Sequence, residues 1–241
     1  MTRAQRLTVT VIGALIVCAI TSSAAFAAGF LGPGHTSSDF ADANAFWNPD
    51  PNSSTFVELS VSRNDFVFRP TQNSGGTSVM QHATLLFITI EGSTVSGSDC
   101  FLIPASDFVV GSGVQSASLH ATILSAADRC PGPPQSLTDI AAGKPGGGPP
   151  PVPGIQFPLS VDASWTGNGV AVTIVSSGRE SCAGFGMESQ INATSARGTA
   201  TSSISMPGIT VTSSPTDQAS VDQGRTVSDI QGVPSPLCFG F

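Results

Sequence analysis

From Phe157 to Trp165 every second residue is apolar: Phe157, Leu159, Val161, Ala163 and Trp165. Pro158, Ser160, Asp162 and Ser164 stand between them. A period of two sends the apolar set to one face of an extended chain, because successive β-carbons point to opposite sides. A helix would scatter the same residues around its circumference. This ribbon must therefore be a half-buried strand whose greasy side is covered by other strands.

Other stretches read in the same way. Ala117, Leu119, Ala121 and Ile123 alternate with Ser118, His120 and Thr122. Val57, Leu59 and Val61 share a face, but Phe66 and Phe68 fall on the opposite phase, which predicts a bulge or short turn near Arg63-Asn64. Residues 79–91 predict a strand, central because Leu85–Ile90 is apolar on both phases. Asn168-Gly169 is a strong hairpin signal, since both residues accept φ > 0, and Ser177-Gly178-Arg179 reads as a further turn. Ala196, Gly198 and Ala200 place small residues on one phase of a long segment, 181–206, for close sheet contact. Two shorter strands, ITVTS and RTVSDI, follow.

One segment reads as helical. Ser38 followed by Asp39 resembles a helix start, Phe40, Ala43 and Trp47 fall at i, i+3 and i+7, and Asn48-Pro49-Asp50-Pro51 ends the run. Phe40, Phe46 and Trp47 would pack this helix on the body or, on a sharper reading, form an exposed aromatic patch. The predicted fold is thus all-β, an antiparallel β-sandwich or distorted barrel with a short N-terminal helix.

The first 27 residues have another role. Arg3 and Arg6 form a basic start, Leu7 to Ile20 is an uncharged apolar run, and Ala25-Phe26-Ala27 is a small-residue cleavage pattern. This is the pattern of a secretory signal peptide cleaved after Ala27, and the run is short for a membrane span. Cys18 would leave with it. The expected organisation is a leader over 1–27, an entry segment with the helix over 28–54, and one all-β domain over 55–241. The Pro/Gly-rich stretch 131–154 would be a surface loop of that domain or an interdomain linker.

Export places Cys100, Cys130, Cys182 and Cys238 in an oxidising compartment, where four thiols predict two disulfides. Folding 100–110 back about Gly111-Ser112-Gly113 brings Cys100 towards Cys130, which favours Cys100–Cys130 with Cys182–Cys238. Loss of Arg3 and Arg6 leaves seven basic against sixteen acidic residues, a formal charge of −9. An acidic surface repels phosphate backbones, so nucleic acid is excluded as a partner, and after leader cleavage no membrane association is expected.

The chain contains no G-x-S-x-G, no H-E-x-x-H, no phosphate-binding glycine loop and no dinucleotide fingerprint. His82 and His120 fall on strands and could share a metal only if those strands were neighbours; His35 falls near the cleavage point. No metal and no cofactor are expected. Glu58, Asp65, Glu91, Asp162, Glu180 and Glu188 are candidate acids for a glycosidase, yet their spacing selects no pair. Asp39, Asp42 and Asn44 hint at calcium, and equally at the acid-rich first turn of a helix. Asn52 and Asn192 head glycosylation-type triplets. The functional expectation is a secreted, non-enzymatic β-module that binds an extracellular ligand or belongs to a surface layer. Its rivals are a secreted hydrolase of polysaccharide or peptide and an inhibitor that presents loop 131–154 to an extracellular enzyme.

Overall fold

A computed structural model describes residues 33–49, 56–71, 77–92, 97–130, 155–182, 185–213 and 215–232. Residues 1–27, on which the expected leader falls, the stretch 131–154 and Cys238 lie outside the described residues. Nearly all of the rest is antiparallel β-sheet, in one open sheet of ten strands. The strands are β1 Gly34–Trp47, β2 Phe56–Pro70, β3 Val79–Glu91, β4 Gly97–Leu102, β5 Phe108–Val110, β6 Ser116–Ile123, β7 Leu159–Cys182, β8 Phe185–Met206, β9 Ile209–Thr212 and β10 Thr216–Gln231. Their order is β4-β3-β2-β1-β10-β8-β7-β6-β5, with β9 paired to the end of β8.

Neither a two-sheet sandwich nor a closed barrel forms. The sheet instead curls on itself, so that both halves contribute to one apolar cluster. Val57, Leu59 and Val61 of β2 and Leu86, Ile88 and Ile90 of β3 belong to the same cluster as Leu119 and Ile123 of β6 and Leu159, Val161 and Trp165 of β7. The Trp165 indole N–H donates to the Asn44 carbonyl across this interior at 2.9 Å. The far edges are laced together as well. Phe101 of β4 bridges to Arg129, just after β6, and the Cys130 N–H donates to the Cys100 carbonyl at 2.8 Å. Cys100 and Cys130 are joined by a disulfide. Beside it the Arg129 guanidinium bonds buried Asp99 at 2.6 Å and lies over the Phe157 ring. Two disulfides were expected; among the described residues there is one, because the partner proposed for Cys182 lies outside them.

The expected N-terminal helix is a strand. Ala41, Ala43, Ala45 and Trp47 line the core from β1, which pairs along its length with β2 and β10. The helical spacing of Phe40, Ala43 and Trp47 was outweighed by an alternation carried mostly by alanine, whose side chain is too small to advertise it. Phe40 lies on the other face, its ring over Gly224, where any β-carbon would stand 2.7 Å from it.

Two expected turns and one expected bulge are also absent. β7 runs straight through Asn168-Gly169 and Ser177-Gly178-Arg179 to Cys182. Asn168-Gly169 instead sits in a bulge, where the pairing with β8 shifts between Gly167 and Ala171 and Gly169 takes φ 84°. Gln115 holds that bulge from a distance: its carbonyl accepts from the Gly167 N–H and its side-chain oxygen from the Gly169 N–H. On the facing strand, a β-carbon at Gly198 would stand 2.0 Å from the Thr166 carbonyl oxygen, so close contact requires the glycine. β2 is regular past Arg63-Asn64, with no register shift against β1 or β3. What switches there is the face that is buried: Val57, Leu59 and Val61 enter the main core, whereas Phe68 is buried on the reverse side.

Candidate binding groove

β1, β2, β3, β7, β8 and β10 are longer than the core needs. Their extensions form a six-strand panel in the order β3-β2-β1-β10-β8-β7. The panel face continuous with the core face is open, and register sorts its side chains into rows. His82, Asp65, Asp39, Arg225, Asn192 and Val175 lie opposite one another in sequence across the six strands. Two residues further out, Met80, Val67, Ser37, Val227, Gln190 and Ser177 form the next row. Beyond that come Arg69, His35, Asp229, Glu188 and Arg179.

Two adjoining hollows occupy this face. One, of about 620 Å³, is lined by His35, Ser37, Val67, Arg69, Glu188 and Asp229 among others. The second, of about 610 Å³, reaches from Asp39 and Asn192 to Val114, where the core closes. Gln190, Arg225 and Val227 border both. Together they form a shallow groove across the strands, with valine between flanking rows of polar groups.

Four cross-strand pairs hold most of the charges in the groove; Arg69 stands outside them. The Arg225 guanidinium donates through Nε and Nη2 to both oxygens of Asp39, each at 2.6 Å. Those hydrogen bonds hold the Asp39 carboxyl below its ordinary range and raise Arg225 in turn. His35 pairs through Nδ1 with Asp229, His82 through Nδ1 with Asp65 at 2.8 Å, and Arg179 with Glu188 at 3.4 Å. Each of these pairs is a cross-strand neighbour. They turn the panel into a lattice of donors and acceptors with little net field of its own.

The carboxylates that come together are not among the six considered for hydrolysis. Asp42 of β1 lies directly opposite Asp222 of β10, on the reverse face from the groove. Burial pushes the Asp42 carboxyl up to about 6, against a hydrogen bond from Ser62, and the neighbouring Asp222 pushes in the same direction. Asp222 is likewise raised by burial, opposed by hydrogen bonds from Ser195 and Ser220. Asp42 belongs to the calcium and helix-start readings of this segment; Asp222 belongs to neither. Of the six acids considered for hydrolysis, Asp65 and Glu188 belong to the groove face, each bound to a basic partner. Glu58 is raised by burial. Asp162 pairs with His120 at 2.8 Å on the outside of the core end.

His82 and His120 are not brought together, since β2, β1, β10, β8 and β7 separate their strands. Among the described residues no three metal-binding side chains cluster. No helix among them is long and apolar enough to cross a membrane. Phe40 and Trp47 are buried, so they do not form an exposed patch. The groove escaped the sequence because its unit is the cross-strand pair: His82 and Asp65 lie 17 positions apart, Arg225 and Asp39 lie 186 apart.

No protein family matches the chain, and no curated protein sequence does. Among solved structures it is similar to an enduracididine biosynthesis enzyme, MppR, complexed with the condensation product of pyruvate and imidazole 4-carboxaldehyde. The identity is 8% and the TM-score 0.23, over 83% of this chain and 87% of that one. A likeness at that level carries neither fold nor function.

Proposed function

We propose that the chain is an exported, non-catalytic β-module that binds an elongated hydrophilic polymer, a polysaccharide or an extended peptide, along the groove. The observation that carries this reading is the double hollow bordered on both sides by Gln190, Arg225 and Val227. The hollows are lined from β2, β1, β10, β8 and β7, and five strands about 4.8 Å apart give a width of roughly 19 Å, which suits a chain more than a compact metabolite. Most of its ions are already paired, Arg69 being the exception, so hydrogen bonds to hydroxyl or amide groups, more than a net field, would select the ligand. The leader pattern, the acidic charge and the disulfide are consistent with life outside the cell.

The test is retention of purified chain on a panel of neutral and acidic polysaccharides and extracellular peptides. Arg225→Ala frees Asp39 and removes the fork between the hollows, so retention should fall at least tenfold with unchanged circular dichroism. Equal retention by Arg225→Ala would remove the groove from consideration.

One observation favours the hydrolase rival. His35 holds Asp229 through Nδ1 and borders the groove, as a base held by an orienting acid would. Among the described residues, however, no serine hydroxyl bonds to any of the three histidines. Release of shortened products from a retained polymer, lost in His35→Ala, would decide for hydrolysis.

A further inference from the structure

β6 accompanies β7 only as far as the Ser116–Thr166 pair, and Gln115 then occupies the edge up to Gly169. From Ala171 to Cys182 the strand pairs with β8 on one side and, among the described residues, with nothing on the other. Every residue from Val170 to Ser181 is exposed. Val172 and Ile174 present themselves on the reverse face, Val175 on the groove face, and Val175 is 75% exposed. An outer strand of this kind offers a row of free backbone donors and acceptors, and natural edges are usually blunted by lysine, proline or charge. Val170 to Gly178 contains none of these.

We infer that Val170–Cys182 is a dimer interface, in which the same strand of a second copy adds in antiparallel register and continues the sheet. Three features select a second copy as occupant. The slot demands an extended backbone of limited length, since Gln115 and β6 block it at one end and the strand itself stops at the Cys182–Phe185 pair at the other. A strand identical to the slot fills it end to end, with Ser176 on the two-fold axis and Val170 opposite the partner's Cys182. Charge points the same way. The chain carries a formal charge of −7, so two copies repel over most of their surface, but not along this neutral strip. In the end-to-end register, Glu180 faces the partner's Val172 and Arg179 faces the partner's Thr173, so no like charges meet. Such an interface is isologous and closes at two copies. The opposite edge of the panel, Val79–Thr84 of β3, is shorter, and the Thr84 carbonyl is already bonded by the Ile103 N–H.

Sedimentation of the purified chain over a range of concentrations tests this, with amide hydrogen exchange as the site-specific readout. The expected result is a monomer–dimer equilibrium, with exchange within residues 170–182 slowed at high concentration and restored on dilution. Val172 is exposed, so charge substitutions there leave the fold intact. Val172→Glu faces the partner's Glu180 and should give monomer, whereas Val172→Lys faces the same acid and should keep the dimer. Three results would each overturn the inference: a monomer at all concentrations, open-ended polymers, or equal behaviour of the Glu and Lys variants.

Discussion

At the scale of single residues, the Asp42–Asp222 pair has a measurable signature. The ordinary value of Asp42, 3.8, is raised to about 6 in the folded chain. Between those values the native state keeps a proton that the unfolded state has lost. Stability therefore falls as pH rises from about 4 to about 6, by up to roughly 3 kcal/mol for a two-unit shift, and is flat above. Asp42→Asn removes the cost of ionising there. Urea titrations at pH 4 and pH 7 should show the variant more stable than the native chain at pH 7 and close to it at pH 4. The same shift in both proteins would assign the effect elsewhere. Because the two acids face one another, their protons leave as a coupled pair, so the transition should be broader than that of one isolated carboxyl.

At the scale of elements, what was legible in the sequence was local alternation. Leu159–Trp165 and Ala117–Ile123 announced their buried faces because each face carries large apolar groups at every second position. β1 did not, because its core face is alanine and its polar face contains Phe40. Asn168-Gly169 misled for a different reason. A hairpin and a bulge ask the same φ > 0 of the backbone, and the contact that decides between them comes from Gln115, 54 positions away. The groove pairs were illegible on the same ground, since they exist only once register is set. The lacing of β4 to the segment after β6 gives the second prediction. Cys100→Ser with Cys130→Ser opens a loop of sequence separation 30 and should cost about 3–4 kcal/mol in the chain-entropy model, read as a lower urea midpoint. An unchanged midpoint would mean that the backbone bridge and the Arg129–Asp99 pair hold that seam alone.

For the whole molecule, a single sheet wrapped over its own face must exclude water without a second layer. Both tryptophans report on this, since Trp47 and Trp165 are each less than 10% exposed and both belong to the one cluster. Fluorescence of the native chain should be blue-shifted and nearly insensitive to acrylamide, and both properties should vanish in one cooperative step on unfolding. Strong quenching in the native state would mean that the two halves of the sheet do not close on each other. The panel beyond the core has a further consequence. An antiparallel continuation of a sheet turns about an axis normal to it, so two copies joined along β7 would show their grooves on the same side, like paired hands. A ligand with repeating units could then engage both at once. Once the first groove is filled, the second would sample it at an effective concentration far above that of free ligand. Weak recognition by one copy would become durable attachment by two.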